Sequence, residues 1–347
     1  MFDQKTVNLI RSYSYEIEKR GELSQEVLDV IYEQKLFKLF VPEDLDGRMM
    51  PLPDAIKVFE DAAWVDGSFG WLVQIGSGAG FFVTTMEPDW ASEVFGKRDV
   101  YIAGSDRPSG KARAVDGGYI VTGEWKFCSG SKHATAFTAN AHVQGSDITH
   151  AFTFLPEQVE VIEDWDAFGL KGTNSHTFKV QEAFVPENRT FDVLKPHFHF
   201  DNPVYHYPFV PFAAANIAAT TIGIARHFFE EAKRLVESKK ELWQQYEPGR
   251  FEQVTKKINE METPFKDEVE KFHVLIDRTW DQHVRGEMLS DLDLIDLQEL
   301  CKSAAGRAVS GAQVIYRFLG MGAIMESTDL NRIYRDLHAA SQHKLLV

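Results

Sequence analysis

The order of apolar and polar positions divides the chain into three stretches of different period. From residue 1 to about 98, apolar residues recur every three or four positions, the spacing of helices with one buried face. Leu9, Ile10, Tyr13 and Ile17 form one such face. Val27, Leu28, Ile31 and Leu36 form a second, entered through Ser24 as an N-cap, and Val41-Pro42 breaks that helix. Residues 52–63 predict a third, with Ile56, Phe59 and Ala63 on one side, and Asp66-Gly67-Ser68 a turn and cap. Residues 69–86 predict a very apolar helix in spite of Gly70, Gly76, Gly78 and Gly80. Each glycine costs a helix about 1 kcal/mol relative to alanine. Four of them argue for close approach by another backbone or by a ligand, tight helix–helix packing being the plainer reading.

From residue 99 to about 196 the period changes to two. Candidate strands are 100–103, 111–115, 119–127, 137–143, 150–155, 159–162 and 177–185, separated by Gly, Asp and Pro. They predict a compact β-barrel or sandwich. From residue 208 the helical period returns over 209–238, 251–285, 292–319 and 330–346, with breaks at Glu247-Pro248-Gly249 and at 288–293. Four long helices after a β-domain predict an antiparallel bundle. The expected architecture is α+β: an N-terminal helical domain over 1–98, a β-barrel domain over 99–200 and a C-terminal four-helix bundle over 201–347.

A chain of 347 residues, 44% of them hydrophobic, has room for two or three domains with their own cores. Its formal net charge of −15 disfavours nucleic acid and anionic membranes as partners, since both need clustered Lys and Arg. Residues 203–225 are uncharged but contain His206, Asn216, Thr220, Thr221 and three prolines, which suits a buried bundle helix better than a membrane span. The opening MFDQKTVNLI has no basic stretch before an apolar core, so no signal peptide is expected. Cys128 and Cys301 lie far apart and read as reduced thiols of a cytoplasmic protein. No G-x-G-x-x-G or P-loop is present, which argues against a Rossmann dinucleotide domain. His197 and His199 form an H-x-H with His206 beyond, but third and fourth ligands are not evident, and no metal site is expected.

Residues 118–143, GYIVTGEWKFCSGSKHATAFTANAHV, carry the strongest chemical signal. Two strand-like runs flank Cys128-Ser129-Gly130-Ser131. A nearly bare turn after Trp125 and Phe127 would let a flat ligand approach main-chain N–H groups. The bland reading is a hairpin with a Ser/Gly turn.

Motifs in all three stretches resemble the acyl-CoA dehydrogenase superfamily. Leu36 to Glu43 followed by Gly47 is similar to its "vPe..GG" segment, with Asp46 in place of the first glycine. Asp66-Gly67-Ser68-Phe69-Gly70-Trp71 resembles the "dgS..W" turn, and 118–143 the "GGy.v.G.W.f.SG..hA" flavin-facing stretch. Gly169-Leu170-Lys171-Gly172-Thr173-Asn174-Ser175 resembles "GlrGTgS", and Val185-Pro186-Glu187 the following "vPe". Near the end, Arg332-Ile333-Tyr334-Arg335-Asp336-Leu337-His338-Ala339-Ala340-Ser341-Gln342-His343 resembles the reduced-flavin-dependent, two-component monooxygenase branch. His343 stands in the region where the dehydrogenases carry a glutamate base.

The resemblance implies a monooxygenase that hydroxylates an aromatic or phenolic small molecule with reduced FAD or FMN and O2. A separate flavin reductase and a homotetramer would accompany it. Ser129 and its N–H would lie near flavin N5, with Phe127 lining the ring and Cys128 and Gly130 approaching by backbone. Ala103, Gly104 and Ser105 would face the pyrimidine edge, and Thr173 and Ser175 the phosphate or ribitol side. His343 would be the base that removes a phenolic proton, an imidazole having its ordinary pKa of about 6.5 near working pH. His338, about 500° earlier on one helix, would not share its face. His133 reads as a solvated turn residue. Arg317, near Gly320 and Gly322, would reach a neighbouring subunit's cofactor, and Arg250 would stand in for a phosphate-binding arginine that 239–254 otherwise lacks. Two alternatives stand beside this reading. One is an acyl-CoA dehydrogenase acting on a CoA thioester. The other is a non-catalytic member of the fold, suggested by the few residues after His343 and the missing arginine.

Overall fold

The computed structural model describes residues 2–193 and 195–347. Helix α1 (Gln4–Arg20) starts where the Asp3 carboxylate accepts the Thr6 amide at 2.7 Å and ends at Gly21 in the left-handed conformation. Helix α2 (Gln25–Glu33) is capped by Ser24, as its sequence predicts. Helix α3 (Leu52–Val65) is followed by α4 (Gly67–Gly78), whose N-cap Asp66 accepts the Phe69 amide at 3.0 Å. The apolar run does not continue as one α-helix. It tightens to a 3-10 helix over Ala79–Thr84 before α5 (Pro88–Phe95).

The α4 glycines serve packing. A Cβ on Gly70 would lie 2.3 Å from Ala63 Cα, and one on Gly76 would lie 2.6 Å from the Phe37 ring. Gly78 differs, because only the Gln74 side chain, at 3.6 Å, lies near that position.

The β-region is an open sheet, not the closed barrel its strand count suggests. Seven strands run in the order β5-β6-β2-β1-β3-β4-β7: β1 (Ile102–Val115), β2 (Gly118–Cys128), β3 (Ala136–Val143), β4 (Thr149–Phe154), β5 (Glu160–Ile162), β6 (His176–Pro186) and β7 (Thr190–Phe191). The edge strands β5 and β7, of 3 and 2 residues, are too short to pair and close the ring. Two predicted strands merge into β1, which shifts register between Ser105 and Gly110 and runs parallel to β3, all other pairs being antiparallel. Trp125 is buried against the sheet, stacked on Phe178 at 5.0 Å with Phe154 at 5.8 Å.

After a short turn, α6 (Pro203–His206), come α7 (Phe209–Ser238), α8 (Lys240–Tyr246), α9 (Arg250–Val284), α10 (Asp291–Tyr316) and α11 (Asp329–Ala340). Helix α7 is central, touching α3, α4, α9, α10 and α11. It is long and apolar enough to cross a membrane, but 78% of its most apolar window is buried in the fold, the position of a core helix. Glu60 of α3 ties the first helices to the last. Its buried carboxylate accepts Arg226 Nη1 at 2.6 Å and pairs with His273 Nε2 at 2.8 Å. Burial pushes this carboxyl up, but His273 and Arg226 outweigh it and hold it below its ordinary range.

Gly70→Ala tests the packing reading. Helix propensity alone would gain about 1 kcal/mol, whereas overpacking costs about 1–3 kcal/mol. Since the obstacle is backbone, the clash wins: denaturant titration should show a net loss of up to about 2 kcal/mol.

Candidate active site

Strand β2 delivers Ser129 through a strained turn. Its register with β6 shifts between Trp125 and Cys128, and Phe127 adopts φ +65°, a left-handed conformation that costs an aromatic residue free energy. This twist sends neighbouring side chains to opposite sides. Cys128 is fully enclosed, its thiol donating to Trp125 O at 3.3 Å and pushed up to about 12 by burial. Phe127 is turned outward, 60% exposed, and meets the Trp165 edge at 6.3 Å. Gly130, at φ +75°, must be glycine, because a Cβ would sit 2.1 Å from the Tyr101 ring. Its bareness makes room for Tyr101, a function its sequence context does not suggest. Its N–H donates to Thr173 O at 2.8 Å.

Four side chains form a buried relay. The Trp71 indole Nε1–H donates to Ser129 Oγ at 2.9 Å; Ser129 and Ser175 hydroxyls are 2.8 Å apart, Ser175 and Thr173 hydroxyls 2.7 Å. Thr173 Oγ1 donates to Leu170 O at 2.8 Å. An indole only donates and a carbonyl only accepts, so the direction is fixed from Trp71 through Ser129, Ser175 and Thr173 to Leu170. Thr173 and Ser175, pointed by the resemblance to a phosphate or ribitol, are enclosed, and their hydroxyls belong to the chain that orients Ser129.

His343 reaches the same place from the far end of the chain. The predicted helix over 330–346 ends at Ala340, and His343 lies in the turn beyond it, where its N–H donates to Ala340 O at 3.3 Å. A helical angle between His338 and His343 therefore has no meaning. His338 stays on α11 against Tyr334 and Gln313. The His343 ring is 6.1 Å from Trp71, edge on, so Trp71 touches both Ser129 and His343. Burial lowers the imidazole's pKa, Lys344 lowers it further and Asp106 opposes. The ring is thus neutral near pH 7. Leu345 N–H approaches Nδ1 at 3.4 Å, while Nε2 has no partner among the described residues. An exposed ion pair between Lys344 and Asp106 ties this turn to β1.

The remaining predicted residues are placed as follows. Ala103 is fully buried, whereas Gly104 and Ser105 are partly exposed where β1 approaches Asp106. Arg317 is exposed at the end of α10. Nearby, Lys239 Nζ donates to Leu319 O at 3.0 Å, and Arg250 stacks over Trp243 at 4.6 Å. These cations are not brought to Ser129 within one chain. His133 is partly buried and bound to Asn174 at 3.1 Å. His206 pairs with Asp201 and stacks on Phe198. No group of three or more candidate metal ligands occurs among the described residues.

The motifs that contain Trp71 and Asp336 point to no separate role for either. Asp336 Oδ1 accepts the Leu170 amide at 2.6 Å, and Arg335 Nη1 donates to Phe168 O at 3.0 Å. The 168–175 loop, with Leu170 and Asn174 both left-handed, is docked on α11 in this way. Burial pushes Asp336 up to about 7, Asp66 reinforces this, and the Leu170 N–H and Arg332 oppose it.

The chain is similar to known proteins along most of its length. Residues 215–347 match the family described as acyl-CoA dehydrogenase, C-terminal domain. The chain has an acyl-CoA dehydrogenase-like fold, and its resemblance to the two-component flavin-dependent monooxygenases holds across all three regions. It is 28% identical to a pigment production hydroxylase of Rhodococcus sp. (strain ATCC 21145), over 95% of this chain and 87% of that protein. It is 25% identical to indole-3-acetate monooxygenase of Pseudomonas putida, over 95% and 86%. Among solved structures, the HsaA monooxygenase from M. tuberculosis superposes with TM-score 0.90 at 22% identity, over 99% of this chain and 93% of that one.

Asp336→Asn keeps the acceptor for Leu170 but removes the titration. The folded carboxyl holds its proton to about pH 7, the unfolded one releases it near 3.8. Between these values the folded state binds more protons, so stability falls as pH rises, by at most about 1.4 kcal/mol per unit. Denaturant midpoints across pH 4–7 should show this fall in the parent protein and its loss in the variant.

Proposed function

We propose that this protein is the oxygenase component of a two-component system, hydroxylating an aromatic or phenolic small molecule with reduced FAD or FMN supplied by a separate reductase. The observation that carries this is the convergence of Ser129 and His343 on Trp71. Chains matched along most of their length, such as indole-3-acetate monooxygenase, support the reaction class. Two proteins that share the fold, XiaF from Streptomyces sp. and KijD3, were solved in complex with FADH2 and with FMN respectively. The residues fit a flat ring system: the exposed Phe127 ring against Trp165, beside Ser129, is an apolar surface that the chain's own fold leaves open.

When bound, reduced flavin would activate O2, one oxygen atom passing to the aromatic ring and the other leaving as water. The protein's part is positioning and proton control. Phe127 and Trp165 would flank the ring system, with Gly104 and Ser105 at its edge. The relay orients the Ser129 oxygen, since its hydroxyl proton is directed to Ser175 and one of its lone pairs to Trp71. His343 is neutral near pH 7 and offers Nε2 to take a phenolic proton, raising electron density on the carbon to be attacked. Trp71 and the turn tied down by Lys344 and Asp106 keep water from this face.

His343→Gln should lower product formation about 10²–10⁴-fold while reduced-flavin binding, followed by fluorescence, is unchanged. Lys344→Met should move the acid limb of the pH–rate profile upward, because Lys344 lowers the His343 pKa. Equal product from parent and His343→Gln would defeat the assignment.

We further propose that the chain works as a homotetramer, in which Arg317 and Arg250 contact the phosphates of a neighbouring subunit's flavin. Exposed apolar side chains such as Val274, Leu292, Ile295 and Ile324 on the C-terminal helical surface support burial against copies. Light scattering coupled to gel filtration should give four times the 39.5 kDa chain mass; a stable monomer would refute this.

A further inference from the structure

Two buried amides have no use in the fold. Gln74 on α4 is 4% exposed and its Oε1 has no hydrogen-bond partner among the described residues. Asn216 on α7 is 1% exposed, and neither of its amide atoms has a partner among the described residues. An unsatisfied buried amide is costly, and native proteins keep few of them without a reason.

The two stand at one level of the structure. Gly223 of α7 and Gly70 of α4 both abut Ala63 of α3. At the other end, Phe209 of α7 packs on Phe81 and Phe82, just beyond α4. The two segments therefore run antiparallel between these contacts, and Asn216 and Gln74 both fall near the middle. Phe209, Asn216 and Gly223 are spaced by two turns each and share a stripe of α7. Gln74 lies roughly 40° round α4 from Gly70 and roughly 60° from Trp71, between the α3-facing side and the site-facing side. Gly78, two turns after Trp71 on its stripe, is partly exposed, and a Cβ there would meet only the Gln74 side chain, at 3.6 Å, among the described residues.

We propose that Gln74 and Asn216 form a subsite, with room left by Gly78, for a neutral hydrogen-bonding substituent of the substrate. This rests on the monooxygenase reading and names the substrate class: an aromatic ring carrying a hydroxyl, ketone or carboxamide remote from the carbon that is oxygenated. Trp71 marks the reacting end beside His343, and Gly78 lies about 10 Å further along the helix, the span of one ring and a short arm. Two amides supply donors and acceptors without charge. A carboxylate buried between them would lack a counter-ion, at far greater cost than a neutral group.

The test uses the full-length protein and three probes that differ only at the far end: 4-hydroxyphenylacetamide, 4-hydroxyphenylacetate and 4-ethylphenol. Titration calorimetry and thermal shift should show the carboxamide binding about tenfold to a hundredfold more tightly than the other two. The double variant Gln74→Met, Asn216→Leu should erase that preference with the Tm unchanged or raised, since the amides satisfy nothing in the fold. Gly78→Val, which fills the space and leaves the amides, should erase it too. Equal or absent binding of all three probes by the parent overturns the subsite, as does a double variant that melts several degrees lower with its preference intact. Product analysis with reduced flavin and O2 separates the two readings. A preferred carboxamide that is never oxygenated sinks the reaction and spares the subsite, whereas probes oxygenated without preference do the reverse.

Discussion

One indole organises this molecule. Trp71 donates its only polar hydrogen to Ser129 and lays its ring against His343, residues that the chain separates by more than half its length. The bond to Ser129 propagates, because each hydroxyl that accepts is left with one proton to give. Ser175, Thr173 and Leu170 are then ordered in turn, and polarised chains of this kind are stronger than their separate members. Losing the indole would free Ser129 to rotate and would remove the surface against which the C-terminal turn packs. The helix that carries Trp71 is correspondingly well anchored, by the Asp66 cap at its start and by backbone contact with α3 at Gly70.

The second organising contact is the docking of the 168–175 loop on α11. Asp336 and Arg335 hold successive parts of that loop, and the same loop terminates the hydroxyl relay. Ser129 orientation and His343 placement are therefore not independent. A shift of α11 displaces the turn bearing His343 and, through Leu170, the far end of the relay. The candidate site, assembled from a sheet, an early helix and the C-terminal helix with the turn after it, is held together by a few buried polar contacts rather than by sequence proximity.

Much of this is legible in the chain because its physical cause is local. Periodicity locates α1 to α4, α7 and α9 to α11, and the N-caps at Ser24 and Asp66 fall where short polar side chains precede apolar runs. Ser129 and His343 stand out through motifs, and the structure brings them together. What the chain conceals depends on distant partners. Closure of a sheet depends on edge length and pairing, which strand propensity does not encode, so strand count points to a barrel where the sheet stays open. The final helix ends at Ala340 although its pattern runs on to Leu346. The neighbours of Thr173, Ser175 and Gly130 are not legible in the motifs because they lie far away in sequence: Ser129 at the end of the hydroxyl chain for the first two, Tyr101 for the third. The unpartnered amides of Gln74 and Asn216 leave no sequence signal, since only a folded environment can reveal an unmet hydrogen bond.

Both cysteines are sealed. Cys128 adjoins the serine at the centre of the site yet is wholly enclosed, its thiol pushed up to about 12, and burial raises the Cys301 thiol as well. Oxidants attack the thiolate far faster than the thiol. In the proposed oxygenation, a miscarried turnover would release peroxide beside Cys128. By keeping its sulfur protonated and out of reach, this fold can suffer such accidents beside its own chemistry without accumulating sulfenic or sulfinic damage.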